Sequence, residues 1–197
     1  IEAGLTVVIN AEHTEITPLG RSEWIKFIAA FYNQEEQADR LFSEIVANYQ
    51  DMKEKAQTIE KKPIVLNNAP YQETWWISGG NSYAVAFIRD AGGAYLWEDN
   101  DLTGSVKLDF EAVFAAASNA DIWINPGTWD SLDDALAEDE RYAEFKAFRE
   151  GNVYNNNRKV NRYGFSDYWE SGVTNPDVVL ADLITILHPD VLPEHEV

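Results

Sequence analysis

From Glu35 to about Ile59 the chain contains neither Pro nor Gly and consists mostly of good helix formers. Leu41, Ile45, Tyr49 and Met52 fall on one stripe with charges elsewhere, the pattern of an amphipathic helix. At about 1.5 Å per residue this rod spans roughly 37 Å, longer than one small lobe needs. Lys61, Lys62 and Pro63 close it. A fold built on this sequence therefore has to seat a long, one-sided helix.

Before the rod, Gly4 to Asn10 reads as a short buried strand, with Leu5, Val7, Val8 and Ile9 supplying an apolar, partly β-branched run. A loop with Pro18 and Gly20 follows, and Ser22 is expected to cap a helix in which Trp24, Phe27, Ile28 and Phe31 recur at helical spacing. After the rod, strand and helix alternate. Strands are expected at 64–67, 74–78, 121–125 and 153–155, and helices at 81–91, 109–118, 141–150 and 176–187. Gly92-Gly93 and Gly151 end two of the helices, while Pro176 opens the last and His188-Pro189 closes it. This is the pattern of an α/β fold, a three-layer lobe with a mainly parallel sheet.

Charge and composition exclude several functions. Fifteen Lys plus Arg against 34 Asp plus Glu give a net charge of −19, which repels phosphate backbones and anionic lipid surfaces, so no nucleic acid is expected as a partner. The longest apolar runs, such as Val178 to Leu187, are broken by Asp182 and Thr185 and fall short of the roughly 20 residues that cross a bilayer. The absence of cysteine removes disulfides, Cys-ligated zinc, iron–sulfur clusters and thiol nucleophiles. The sequence opens on Ile1 rather than Met and is expected to be a fragment or a processed product.

Nothing in the chain matches a nucleophile elbow, a zinc-protease helix, a P-loop or a dinucleotide fingerprint. No enzyme activity, catalytic residue, metal site or cofactor is expected. Of the three histidines, His188 marks a helix end and only His13 could face a cleft. Gly79-Gly80 could open a helix toward an anion, although a turn before the helix is the plainer reading. The carboxylates from Asp130 to Glu140 fit solvated helix faces and lack the Gly of a calcium loop.

Aromatic residues are the unusual feature. Trp75 and Trp76 are adjacent in an extended segment, so their rings point to opposite faces and at most one joins the core. Trp129 follows strand 121–125, and Tyr168-Trp169 precedes the last helix, in loops where α/β sheets usually bind ligands. Such rings suit a flat, partly apolar ligand. Arg158 and Arg162 stand in the polar loop NNNRKVNRYG, where they meet either a ligand carboxylate or a surface Asp.

The ordered series of the rod, PIVLNN, WWISGGNSYAVAFIRDAGGAYLWED, KLDFEAVFAAASNADIWINPGTW, VYNNN and DYWESGVTNPDVVLADLI resembles the second half of a cluster A, or class III, periplasmic substrate-binding protein. These are the iron-siderophore, haem and vitamin B12 receptors of ABC importers. The resemblance implies the carboxyl-terminal half of a two-lobe protein: 1–34 as the tail of an amino-terminal lobe with a lead-in helix, 35–62 as the interlobe helix, and 63–197 as the carboxyl-terminal α/β lobe. It implies a periplasmic monomer, with lipid anchoring left open, that captures a ferric siderophore, haem or cobalamin between its lobes and delivers it to the importer's permease. The candidate ligand contacts are Trp75, Trp76, Ser105, Trp129, Arg158, Tyr168 and Trp169, of which the resemblance supplies Trp76 and Ser105 and placement along the sequence supplies the rest. Trp76 matches a family aromatic before a Ser-Gly turn, and Ser105 stands where the family has a second aromatic. Glu111 matches a glutamate that docks on permease arginines. Two other functions stay open, a zinc or manganese receptor of the same broad fold and a lobe of a metallocluster oxidoreductase, although the latter uses cysteine ligands that this chain lacks.

Overall fold

A computed structural model describes residues 4–127 and 129–197. Three parallel pairings build its main sheet, a four-stranded one in the order β4-β1-β6-β7, from β1 (Ile64–Asn67), β4 (Ala94–Tyr95), β6 (Ile122–Ile124) and β7 (Val153–Tyr154). Neighbours are in register at Val65 with Ile122 and at Trp123 with Val153. Side chains alternate across a strand, so β1 and β6 feed two cores. Val65, Ile122 and Ile124 pack on one side, and Leu66 and Trp123 on the other. The helices α3 (Tyr83–Asp90), α4 (Phe110–Ala117), α5 (Leu132–Glu138), α6 (Lys146–Arg149) and α8 (Pro176–Leu187) supply the outer layers. The expected three-layer α/β lobe is what forms.

A second sheet was not expected. The strands β2 (Pro70–Tyr71), β3 (Thr74–Ser78) and β5 (Ser105–Leu108) make an antiparallel sheet, with Trp75 opposite Leu108 and Trp76 opposite Lys107. The turn between β2 and β3 places Gln72 and Glu73 both at positive φ, as a tight right-twisting hairpin requires. Neither is Gly or Asn, which is why the turn is hard to see in the sequence.

The rod is α2 (Glu35–Gln57). Its stripe is shifted from the expected one: Ala38, Phe42, Ile45, Tyr49 and Ala56 are buried while Leu41 is exposed. It packs against α8 and α1 (Pro18–Ala29). Buried Asp90 at the end of α3 fastens it, accepting the Tyr49 hydroxyl at 2.9 Å and pairing with Lys53 at 2.9 Å.

Several local expectations are corrected. Residues 4–10 form no strand, and Leu5, Val7, Val8 and Ile9 are exposed, because no described strand offers them a ladder. Thr17, not Ser22, caps α1, accepting from the Gly20 N–H; Ser22 is buried within the helix and donates to the Thr174 carbonyl at 3.0 Å. Phe31 lies beyond the end of α1. The expected helix 141–150 is broken at Phe145, which is extended and buried, into a 3-10 turn (Glu140–Glu144) and α6. A short helix, α7 (Ser171–Thr174), precedes α8.

Candidate functional site

The carboxyl ends of β1, β6 and β7 lie side by side, and an asparagine stands at each: Asn67, Asn125 and Asn155. Asn67 is buried, donates to Ser78 Oγ at 3.0 Å and accepts from Asn125 Nδ2 at 3.4 Å. Asn68 and Asn125 take positive φ, which Asn tolerates better than most residues. Asn68 Nδ2 holds the Trp76 carbonyl at 2.8 Å, and Asn155 Nδ2 holds the Gly127 and Trp129 carbonyls at 2.9 Å. These amides lock the loops that carry the candidate residues. A side chain that bonds its neighbours' backbone at a strand end is the signal by which they could have been found.

The two adjacent tryptophans separate as alternation requires. Trp75 is fully buried, stacked 5.5 Å from Trp123, with its indole N–H on the Asn67 carbonyl. It is a core residue rather than a ligand contact. Trp76 is 37% exposed on the outer face of the small sheet, with the Lys107 ammonium 4.7 Å from its ring centre. Ser105, opposite Ser78, is exposed at the same sheet.

Trp129 is also turned inward. It packs 4.8 Å from Tyr142 and 5.3 Å from Trp123, and its indole N–H donates to Glu138 at 2.7 Å. The loop after β6 starts at the edge, but its aromatic fills the core. Tyr168 and Trp169 do lie together, edge to face at 4.9 Å, with Tyr168 half-buried and Trp169 exposed. Burial pushes the Tyr168 phenol above the usual tyrosine range, with Tyr83 adding to the shift, so the hydroxyl stays neutral. Arg21 lies over Tyr83 at 3.7 Å and ties this corner to α1.

Residues 158–169 project as a hairpin closed by an antiparallel bridge between Val160 and Ser166. Its exposed tip adds Tyr163 and Phe165, with Arg162 over the Tyr163 ring at 4.7 Å. Neither ring is among the candidates read from the sequence, which in this polar loop are only Arg158 and Arg162. Arg158 reaches the Val197 carbonyl, and Lys159 pairs with Asp167 at 2.6 Å. That ammonium, helped by the Ser171 hydroxyl, holds the Asp167 carboxyl below the usual range. Beside the hairpin is a cavity of about 710 Å³ lined by Asn155, Arg158, Asp167, Tyr168, Gly172 and Asp182 among others.

The glycine pair is a turn. Gly79 N–H donates to the Gly104 carbonyl at 2.8 Å and Gly80 N–H to Asn100 Oδ1 at 3.1 Å, so neither points at a ligand. A Cβ on Gly79 would lie 2.3 Å from the Leu102 carbonyl, which explains the glycine. Among the described residues no group of three or more His, Cys, Asp or Glu could hold a metal ion. Glu111, in the first turn of α4, is exposed; Asp109 caps that helix through the Ala112 N–H at 2.7 Å. Glu111 meets Arg141 at 3.2 Å, and the same guanidinium bonds Asp139 at 2.6 Å and lies 3.9 Å over Phe110. No helix among the described residues is long and apolar enough to cross a membrane.

Residues 1–158 match the sequence profile of a family described as periplasmic binding protein. An uncharacterized lipoprotein of Methanocaldococcus jannaschii is 34% identical over 192 residues, covering 96% of this chain and 44% of its own length. A second lipoprotein of that organism is 29% identical, with 96% and 48% covered. The chain thus spans about half the length of these curated relatives. Among solved structures, a Staphylococcus epidermidis periplasmic solute-binding protein described as possible iron-binding superposes with a TM-score of 0.69 at 15% identity, over 95% of this chain and 68% of that one. A periplasmic haem-binding protein of Roseiflexus gives 0.68 at 19%, over 89% and 65%. A molybdate-binding protein of Haemophilus influenzae gives 0.67 at 15%, over 99% and 57%. At these identities the likeness is one of fold.

Proposed function

The chain belongs to the periplasmic binding protein family, and from that premise we propose that it is the carboxyl-terminal part of a substrate receptor that binds an iron chelate, haem or cobalamin and passes it to an ABC importer's permease without chemical change. In this reading residues 1–34 end an amino-terminal lobe, 35–62 form the connecting helix and 63–197 the second lobe. The ligand then sits between the lobes, and this chain supplies one wall. The localisation is the family's, periplasmic. Relatives named lipoproteins support anchoring of the mature receptor to a membrane.

One observation carries the proposal. Loops leaving the carboxyl ends of adjacent parallel strands are locked by Asn68 and Asn155; Trp76 and Trp169 are exposed rings, and Arg158 and Tyr168 line a cavity of about 710 Å³. A wall of this kind binds a flat or bulky ligand by preformed contact rather than by reaction at a nucleophile. Structural neighbours described as binding haem and molybdate support the receptor class, while the choice among haem, ferric siderophore and cobalamin rests on the aromatic lining.

The test is a titration of the full-length protein with haemin, cyanocobalamin and a ferric siderophore, followed by tryptophan quenching and ligand absorbance. One of the three is expected to saturate at one equivalent and be recovered intact. Absence of saturable binding by all three would refute the assignment.

A further inference from the structure

Antiparallel pairing fixes which residues share the outer face of the small sheet. Tyr71 is opposite Thr74, Trp76 opposite Lys107 and Ser78 opposite Ser105. Cross-strand partners point the same way, so Tyr71, Trp76, Lys107 and Ser105 stand on one surface. Trp75 and Ile77 face the core from the other side. Tyr71 and Trp76 are exposed. In a chain with 34 acidic side chains, Lys107 makes no ion pair among the described residues, and its ammonium rests on the Trp76 ring instead. Lys61 and Lys62 likewise form no ion pair among the described residues, whereas Lys26, Lys53, Lys55, Lys146 and Lys159 find carboxylates; what sets Lys107 apart is the indole beneath it.

The field of a chain carrying −19 opposes approach of an anion, so an anionic ligand can settle only where a local cation outweighs that field. Lys107 supplies such a point beside an indole face. An ammonium over a ring is held weakly at an exposed site, and a carboxylate or sulfonate on an arriving ligand offers it a charged partner in exchange. Departure of the ammonium uncovers the ring for stacking.

Building on the receptor reading above, we propose that this outer face selects anionic aromatic ligands: Trp76 takes the flat surface, Tyr71 the rim, and Lys107 is the specificity-determining cation that pairs with an acidic substituent. Ligands of equal shape but cationic charge are discriminated against at the same wall.

Two water-soluble porphyrins with the same ring and opposite charge test this, the tetrasulfonatophenyl and the tetra-N-methylpyridyl forms. Both are titrated by tryptophan quenching into full-length wild type, Lys107→Gln and Lys107→Arg, with melting curves recorded beside them. Lys107→Gln should weaken the sulfonated porphyrin by about threefold to fivefold, the range of an exposed ion pair, and leave the cationic one unchanged or tighter. Lys107→Arg should keep the wild-type order. Failure of the sulfonated porphyrin to bind, an unchanged affinity in Lys107→Gln, or equal weakening of both porphyrins would each overturn the assignment. The receptor reading would survive those results, because it falls only if haemin, cyanocobalamin and the siderophore all fail to bind.

Discussion

The contrast between Trp75 and Trp76 shows how one pleat divides a core ring from an exposed one. Trp75 lies against Trp123, Phe110 and Phe145 with no solvent exposure. Trp75→Ala should therefore cost about 3–5 kcal/mol, read as a drop in the denaturant midpoint; a loss below about 1 kcal/mol would contradict its core placement. The adjacency of the two rings in the sequence allows at most one of them in the core without saying which, since the choice depends on Phe110, Trp123 and Phe145 covering one face. Trp129 was read from its loop position alone, and its burial rests on the distant Tyr142 and Glu138. Asn67 makes a second residue-scale case. Asn67→Leu would leave the Ser78 hydroxyl and the Asn125 amide without their side-chain partner, at about 1–3 kcal/mol, and near-wild-type melting would show that the network is dispensable.

At the scale of elements, what was legible followed local rules. β1 and α8 match their expected bounds because β-branched runs and a Pro at the first turn are local signals. The small antiparallel sheet was not legible, because β2 is very short, its hairpin turn carries neither Gly nor Asn, and β3 pairs with a β5 that lies far along the chain. The strand expected at 4–10 failed for the complementary reason, since apolar composition cannot form a ladder without a neighbour. Tyr49→Phe should loosen α2 from the lobe by about 1–3 kcal/mol, because it leaves buried Asp90 with one partner fewer; an unchanged melting temperature would count against that anchor. A second fastening is titratable. Burial pulls Asp121 upward, but the Lys146 ammonium at 2.6 Å and the Ile64 N–H outweigh it and hold the carboxyl below its ordinary value. A folded value lower than the unfolded one gives stability that is complete above the unfolded pKa of about 3.9 and is lost as pH falls through the depressed folded value. Lys146→Met should thus melt below wild type at pH 7, with the gap closing as the pH falls through the depressed carboxyl value. A gap that persists in acid would show that the lysine acts through packing.

At the scale of the whole molecule, the proposed partner contact is Glu111, at the start of α4. Glu111 is exposed but already paired with Arg141, itself anchored by Asp139 and Phe110. Docking on a permease arginine then exchanges one ion pair for another, a small net change at an exposed site. Glu111→Arg should leave ligand affinity unaltered and lower uptake through the cognate importer; normal uptake at matched expression would remove Glu111 from the interface. The central claim concerns the carboxyl-edge wall, and its most direct measurement is the dissociation constant of the ligand chosen from the titration panel, compared between full-length wild type and Trp76→Ala at matched melting temperature. Loss of an aromatic wall predicts weakening by about 1–3 kcal/mol with the fold intact. Equal affinity in the two proteins, with both folded, would contradict a ligand site at Trp76.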